Sequence, residues 1–471
     1  MNLSNPRDHW RNVEEKTVLT GGMLVLIVVC LTFIGWSDAR SQEPKPEAPT
    51  LKVANVVKVD KVFTGIPVGF DLLTHGKYQF VAYYDPDRQL TVAVRQLGSE
   101  TWERVKLDET NPWDSHNDIT MAVDRNGHLH LSGNMHGVPL NYYRTGPDRT
   151  FKQLNEMVGK EENSVTYPHF LKGPKGRLIF SYRDGGSGNG RRLYNVYDAE
   201  QKEWKRLLDR PLLDGTSQGM NAYPHGPKQG PNGNFHIAWM WRNTPDAATN
   251  HDISYMWSPD LKHWKTAGGE PLSLPVTPEN KKVVVDPVPP GEGLINMGYG
   301  LGFDHRGRPI VSYHKYDKEG NSQIYNARWE GNDWVMYKMT NWKHRWDFGG
   351  GGSIPGHVGT GSVRRLAPGK LAQPYHHWKK GSGTWLLDAK TLRPIGKTTT
   401  GYQKPDKLNQ VRSDFPGMRV HWTGDSGSSG HPRVRYELRW ETLGVNRDRK
   451  RTGDLPEPST LEVYKFIEPG R

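Results

Sequence analysis

A short phrase returns along this chain. Asn126-Gly127-His128-Leu129-His130-Leu131 runs on to Asn134-Met135-His136. Lys175-Gly176-Arg177-Leu178-Ile179-Phe180 runs on to Tyr182-Arg183-Asp184. Asn232-Gly233-Asn234-Phe235-His236-Ile237 reaches Trp241-Arg242, and Arg306-Gly307-Arg308-Pro309-Ile310-Val311 reaches Tyr313-His314. Each copy is a turn glycine, a strand, and a polar or aromatic residue where the strand runs out. Weaker copies begin at Gly76 and Gly369. The six glycines are separated by 51, 49, 57, 74 and 62 residues. A repeat of that length with several short strands per unit indicates a β-propeller rather than an irregular β-sandwich. Six visible units plus one shared by the two ends of the chain predict an all-β, seven-bladed propeller over residues 51–471. The 74-residue gap, rich in proline, reads as a long loop over one face, and Trp346–Gly352 as another.

Residues 17–36 form a long uncharged, mainly apolar stretch after Arg7, Arg11 and Lys16. It is long enough for a membrane span of about 20 residues, and Ala39-Arg40-Ser41 offers small residues for cleavage of a signal peptide. Residues 1–41 are therefore expected to be a signal peptide or anchor, and residues 42–50 a linker. Either reading exports the propeller, to be secreted, periplasmic or membrane-anchored. The single cysteine, Cys30, lies inside that stretch. The exported part thus has no disulfide and no catalytic or metal-binding thiolate. Lysine and arginine outnumber acidic residues 63 to 51, a net charge of +12. No nucleic-acid-binding motif accompanies that charge, and an acidic polysaccharide suits an exported basic protein better than nucleic acid. A monomer is expected.

Histidines, tyrosines and arginines recur at matching places. Ser115-His116-Asn117-Asp118 precedes one strand and His136 ends it. Tyr167-Pro168-His169 precedes the next, which ends at Arg183, and Tyr223-Pro224-His225 precedes a third, which ends at Arg242. No clear carboxylate pair of the kind glycosidases use emerges. A uronate β-elimination has other needs: cations that neutralise the sugar carboxylate, a base for the acidified carbon, and an acid for the leaving oxygen. His, Tyr and Arg supply these. A second cluster, Tyr375-His376-His377-Trp378 with His314, leaves room for a structural metal ion, zinc or calcium, while the chemistry itself requires no cofactor.

The blocks Ser115–Asp118, Gly133–His136, Thr166–Pro168, Tyr182–Gly185 and Ala222–Pro224 resemble the BNR-repeat propeller family that includes ulvan lyases. The resemblance implies β-elimination at a uronate in a sulfated, rhamnose-containing glycan. By motif, His116 and His136 match the family's two active-site histidines, Tyr167 and Tyr223 its two tyrosines, and Arg183 its carboxylate-binding arginine. His116 and either tyrosine would share base and acid duties. His225 and Arg242 are further substrate contacts, and His314, His376 and His377 the candidate metal ligands. A sialidase-like hydrolase and a noncatalytic glycan-binding propeller are the competing readings. The one degraded Asp-box, Ser258–Trp264, gives the hydrolase little support.

Overall fold

The computed structural model describes residues 48–146 and 149–470. The apolar stretch 17–36 lies outside them, and no helix among the described residues is long and apolar enough to cross a membrane. The described chain is all-β, with helix confined to short 3-10 turns such as Thr216–Gln218.

Seven antiparallel sheets follow one another along the described residues. The first runs Asp71–His75, Tyr78–Tyr84, Gln89–Gln96, Glu103–Thr110, each strand paired with the next. The fourth and fifth repeat the pattern over 221–286 and 300–338, and the second and sixth with small variations. Strand contacts link each of the first five sheets to the next and the first to the seventh. The seventh draws on both ends of the chain: Lys52–Val62 pairs with Ser459–Ile467, beside Val434–Leu443 and Met418–Gly424. In the first six sheets the first strand turns into the second at one of the glycines that mark the sequence repeat. All six, from Gly76 (φ 56°) to Gly369 (φ 71°), have positive φ, the left-handed conformation that a side chain resists. Asp124 and Asp304 brace two of these turns by accepting backbone N–H groups two and four residues ahead.

Burial follows strand order. Every residue of the second strand Phe235–Arg242 is buried, whereas fourth strands such as Pro394–Thr398 are largely exposed. A strand covered on both faces reads as a continuous apolar run, and this one does. Trp264 is buried against it, and Trp102 and Trp204 are buried in other parts of the core. The first strands of the first, second, third and seventh sheets line an elongated cavity of about 1420 Å³.

Two expectations need correction. The gap between Gly233 and Gly307 is not one loop, because it contains the strands Asn250–Ser258 and Val284–Asp286. Residues 48–50, read as linker, are tied into the fold: Gln403 N donates to Pro49 O at 3.0 Å, and Leu51 N to Gln403 O at 2.8 Å. The Asp-box-like turn does form, with Asp260 Oδ1 accepting from Lys262 N and His263 N and Trp264 buried behind it.

Candidate active site

The site is built where the second sheet hands its chain to the third. After Leu129–Ser132 the backbone crosses over, and His136–Val138 pairs with the first long strand of the third sheet. His136 thereby lies opposite Thr166, and Thr166 lies opposite Arg183 on the next strand. Between Thr166 and His169 the register slips by a bulge, and Tyr167 takes φ 53°. A bulge is where a proline such as Pro168, with no N–H to give, is tolerated in a sheet, and where a side chain is re-aimed. A positive φ on a tyrosine is strain that the surrounding structure must hold in place.

His116 sits on the loop before the second sheet. Asn111 fixes that loop by accepting from Asp114 N at 3.0 Å and donating to Asp114 O at 3.1 Å. Asp114 then binds both histidines. Its Oδ1 lies 2.9 Å from His116 Nδ1 and its Oδ2 lies 2.5 Å from His136 Nδ1. A second carboxylate arrives from the far end of the chain. Asp448 Oδ2 is 3.0 Å from His116 Nδ1, and it also accepts from Ser353 N at 2.8 Å. Its other oxygen accepts from Ser115 N and Oγ at 3.1 and 2.7 Å.

These contacts decide charge. Burial works against a charged His116, but the hydrogen bonds and charges of Asp114 and Asp448 outweigh it and push its pKa up to about 10. Burial works against a charged Asp114 as well, and the hydrogen bonds of the two histidines hold it well below the usual carboxylate range. His116 also brings Asp448 down to about 2 against the effect of burial. At neutral pH His116 is therefore an imidazolium.

The rings close into a group. His116 and His136 lie 4.7 Å apart, and each is within 6.2 Å of Tyr167. Tyr167 meets Tyr223 at 6.3 Å. Arg183 holds its guanidinium 5.0 Å from the Tyr167 ring, and Arg242 holds its own 4.3 Å from the Tyr223 ring. Burial, followed by the neighbouring Tyr223, raises the Tyr167 pKa far above that of a free phenol, so it stays neutral. Tyr223 Oη accepts from Arg242 Nη1 at 3.1 Å and lies 2.7 Å from Ser187 Oγ. Arg183 is buried, donates through Nη2 to Thr166 Oγ1 at 3.0 Å, and has no hydrogen-bond partner for its buried Nη1. A guanidinium that lies over the Tyr167 ring with one N–H unpaired is a donor in want of an anion.

Of the residues singled out in the sequence, His116, His136, Tyr167, Arg183, Tyr223 and Arg242 are brought together. His225 stands one layer back, its ring 5.5 Å from Tyr299, whose hydroxyl donates to Tyr223 O at 2.8 Å. The candidate metal ligands do not converge. His314 is buried beside Trp346, while exposed His376 bonds Ser382 Oγ at 2.8 Å. Adjacent strand residues face opposite sides, so His377 is buried. Its Nδ1 accepts from Lys379 N and Lys380 N at 3.1 and 3.2 Å, which leaves its proton on Nε2 and removes that nitrogen as a ligand. Among the described residues, the three that offer ligand atoms within 4.8 Å of one another are Asp114, His116 and His136. The same atoms make the ion pairs above, so cation binding and ion pairing are alternatives at one place.

The sequence reading gave no site role to Asp114, Asp448 or Ser187. Asp448 follows the second strand of its sheet at the place where His136 follows its own, and that shared position was the available signal.

A family model described as BNR repeat-containing matches residues 78–342. The chain belongs to that family. BNR-repeat relatives include an ulvan lyase, long isoform, from an Alteromonas species, 30% identical over 132 residues, which make up 26% of this chain and 13% of the relative. The ulvan lyase, long isoform, of Pseudoalteromonas sp. (strain PLSV) is 28% identical over 133 residues, with the same coverage. The match thus spans about 13% of the length of these curated relatives. The crystal structure of polysaccharide lyase Uly1 superposes with a TM-score of 0.59 at 14% identity, covering 88% of this BNR-repeat chain and 99% of that one. The PL25 ulvan lyase bound to -[GlcA(1-4)Rha3S]- gives 0.56 at 15% identity, covering 88% and 96%. At such identity the likeness is one of fold.

Proposed function

We propose that this BNR-repeat protein is a polysaccharide lyase that cleaves an acidic, ulvan-like glycan at a uronate by β-elimination. The observation that carries the reading is the buried, unpartnered Nη1 of Arg183 beside an imidazolium and two tyrosines. The ulvan lyase activity of the relatives and of the fold neighbours supports it. A hydrolase would need two free carboxylates, whereas Asp114 and Asp448 are both tied to histidines.

Arg183, charged His116 and His136 surround the sugar carboxylate and take up negative charge as C5 loses its proton. Tyr223, entering the step as a phenolate with its oxygen held by an N–H of Arg242, takes that proton and becomes a phenol. The C5–H electron pair becomes the C4=C5 double bond, and the C4–O bond breaks with its pair on oxygen. Tyr167, held neutral by burial, protonates that oxygen. No proton is created or lost in total, because Tyr167 recovers the one that Tyr223 receives. No step is routed through a metal.

In this reading the seven sheets are the blades of one closed propeller, and the mixed seventh sheet is the clasp. The domain works outside the cytoplasm as a monomer, with residues 17–36 as signal or anchor. The test is ultraviolet absorbance of the conjugated product when residues 42–471 meet a panel of uronate polysaccharides. A rise that Arg183→Ala abolishes is the expected result. Binding without any rise, by a protein that tolerates Arg183→Ala, would sink the lyase reading and leave a glycan-binding propeller.

A further inference from the structure

Trp378 breaks the rule that this fold keeps for its tryptophans. It is 48% exposed, the only tryptophan among the exposed large apolar residues described. The ring is nonetheless held rigidly. It stacks on His357 with centroids 4.7 Å apart and planes at 20°, and its Nε1 donates to His344 Nε2 at 3.0 Å. Trp378 N donates to His357 O at 2.8 Å. A core that buries Trp102, Trp204, Trp239, Trp241, Trp264 and Trp346 leaves this flat apolar face, propped from below, open to solvent.

The face lies in contact with the catalytic group through a short chain of residues. Arg242, on Tyr223, donates to Asn296 Oδ1. The next residue, Met297, is 36% exposed, and a Cβ placed on Gly356 would stand 3.4 Å from its methyl group. Gly356 leads directly to His357 and so to the Trp378 ring. The topology agrees: Trp378 follows the second strand of the sixth sheet, as Arg242 ends the second strand of the fourth. Lys379 holds its ammonium 4.8 Å from the Trp378 ring, and neither it nor Lys380 has a carboxylate partner among the described residues.

We infer that Trp378, with His357 and His344 beneath it and Lys379 and Lys380 beside it, is a distal subsite. It takes a pyranose ring of the same anionic glycan, beyond the bond that is cut. The C–H face of the sugar lies on the indole and its sulfate or carboxylate on the lysines, the pairing of apolar body and fixed charge that glycan sites use. This rests on the lyase reading for its substrate but not for its geometry.

Trp378→Ala and Trp378→Tyr are compared with the parent protein in elimination assays on long polymer and on the shortest oligomer that is cut. Mobility in gels cast with the polymer gives binding independently of turnover. The subsite predicts a KM for polymer raised roughly tenfold in Trp378→Ala, the change that about 1.4 kcal/mol produces. It also predicts unchanged kcat, an unchanged KM for the oligomer and recovery in Trp378→Tyr. Equal KM for polymer in parent and Trp378→Ala, or equal losses on polymer and oligomer, would overturn it. If the parent eliminates nothing, the lyase reading fails alone. Loss of gel retardation in Trp378→Ala then still supports the subsite, and unchanged retardation rejects it.

Discussion

Two histidine clusters in this molecule behave in opposite ways. His116 and His136 share Asp114, and His116 also holds Asp448, so two carboxylates keep an imidazolium charged despite burial. His344, His357 and His377 sit among Trp342, Trp346 and Trp378, and no carboxylate among the described residues touches them. Burial, together with neighbouring cations, lowers the pKa of His344 and of His377. His314, fully buried beside Trp346, falls to about 4. One residue type thus serves as a fixed cation in the first place and as a neutral packing and hydrogen-bonding ring in the second. Charge here is a property of the neighbours.

The largest effect should come from removing the unpartnered cation. Arg183→Ala is expected to lower kcat/KM by about 10²–10³ or more, in the range of a lost oxyanion donor. Steady-state elimination kinetics check this, with thermal unfolding to confirm the fold. Next, Asp448→Asn withdraws one of the two carboxylates that hold His116 charged. The alkaline limb of the activity profile, expected near the His116 value of about 10, should move down by about one pH unit or more. An unmoved limb with activity lost would mean that Asp448 only shapes the loop.

A third test concerns stability. His116 is raised in the folded state above an unfolded value of roughly 6.5. Its contribution is fully present below that value and is lost as pH rises through about 10. The depressed carboxylates act in the reverse sense: their contribution is present above roughly pH 4 and is lost as pH falls through the folded values, about 2 for Asp448. Chemical unfolding of parent and Asp448→Asn should therefore differ most between roughly pH 4 and 6.5 and converge towards pH 10. Smallest of all, His344→Gln should leave the alkaline limb in place and cost about 1 kcal/mol or less, the value of the one Trp378 hydrogen bond it disturbs.

The comparison also shows what the sequence makes legible. The glycine turns can be read directly, because a hairpin with positive φ selects glycine within a few residues. His116, His136, Tyr167 and Arg183 can be read because they sit at matching places before and after those turns. The place of Asp448 after its strand can be read too, but not its partner, since its meeting with His116 spans a separation of more than 300 residues and depends on the closure of the seventh sheet. The histidines of the sixth sheet look like metal ligands in sequence because spacing says nothing of which ring nitrogen is free. Two backbone N–H groups on His377 Nδ1 decide that, and they appear only once the chain turns at Lys379. The proline-rich gap misleads for a related reason: its prolines mark the connections, while the strands between them are ordinary.

The late arrival of Asp448 sets a time order on function. While the chain is being made, Asp114, His116, His136 and Arg183 all emerge in its first half. Until residue 448 follows and the last sheet joins Lys52–Val62, His116 lacks its second carboxylate and the loop at Ser353 lacks its anchor. Closure of the last sheet therefore completes the surroundings of His116 as well as the fold.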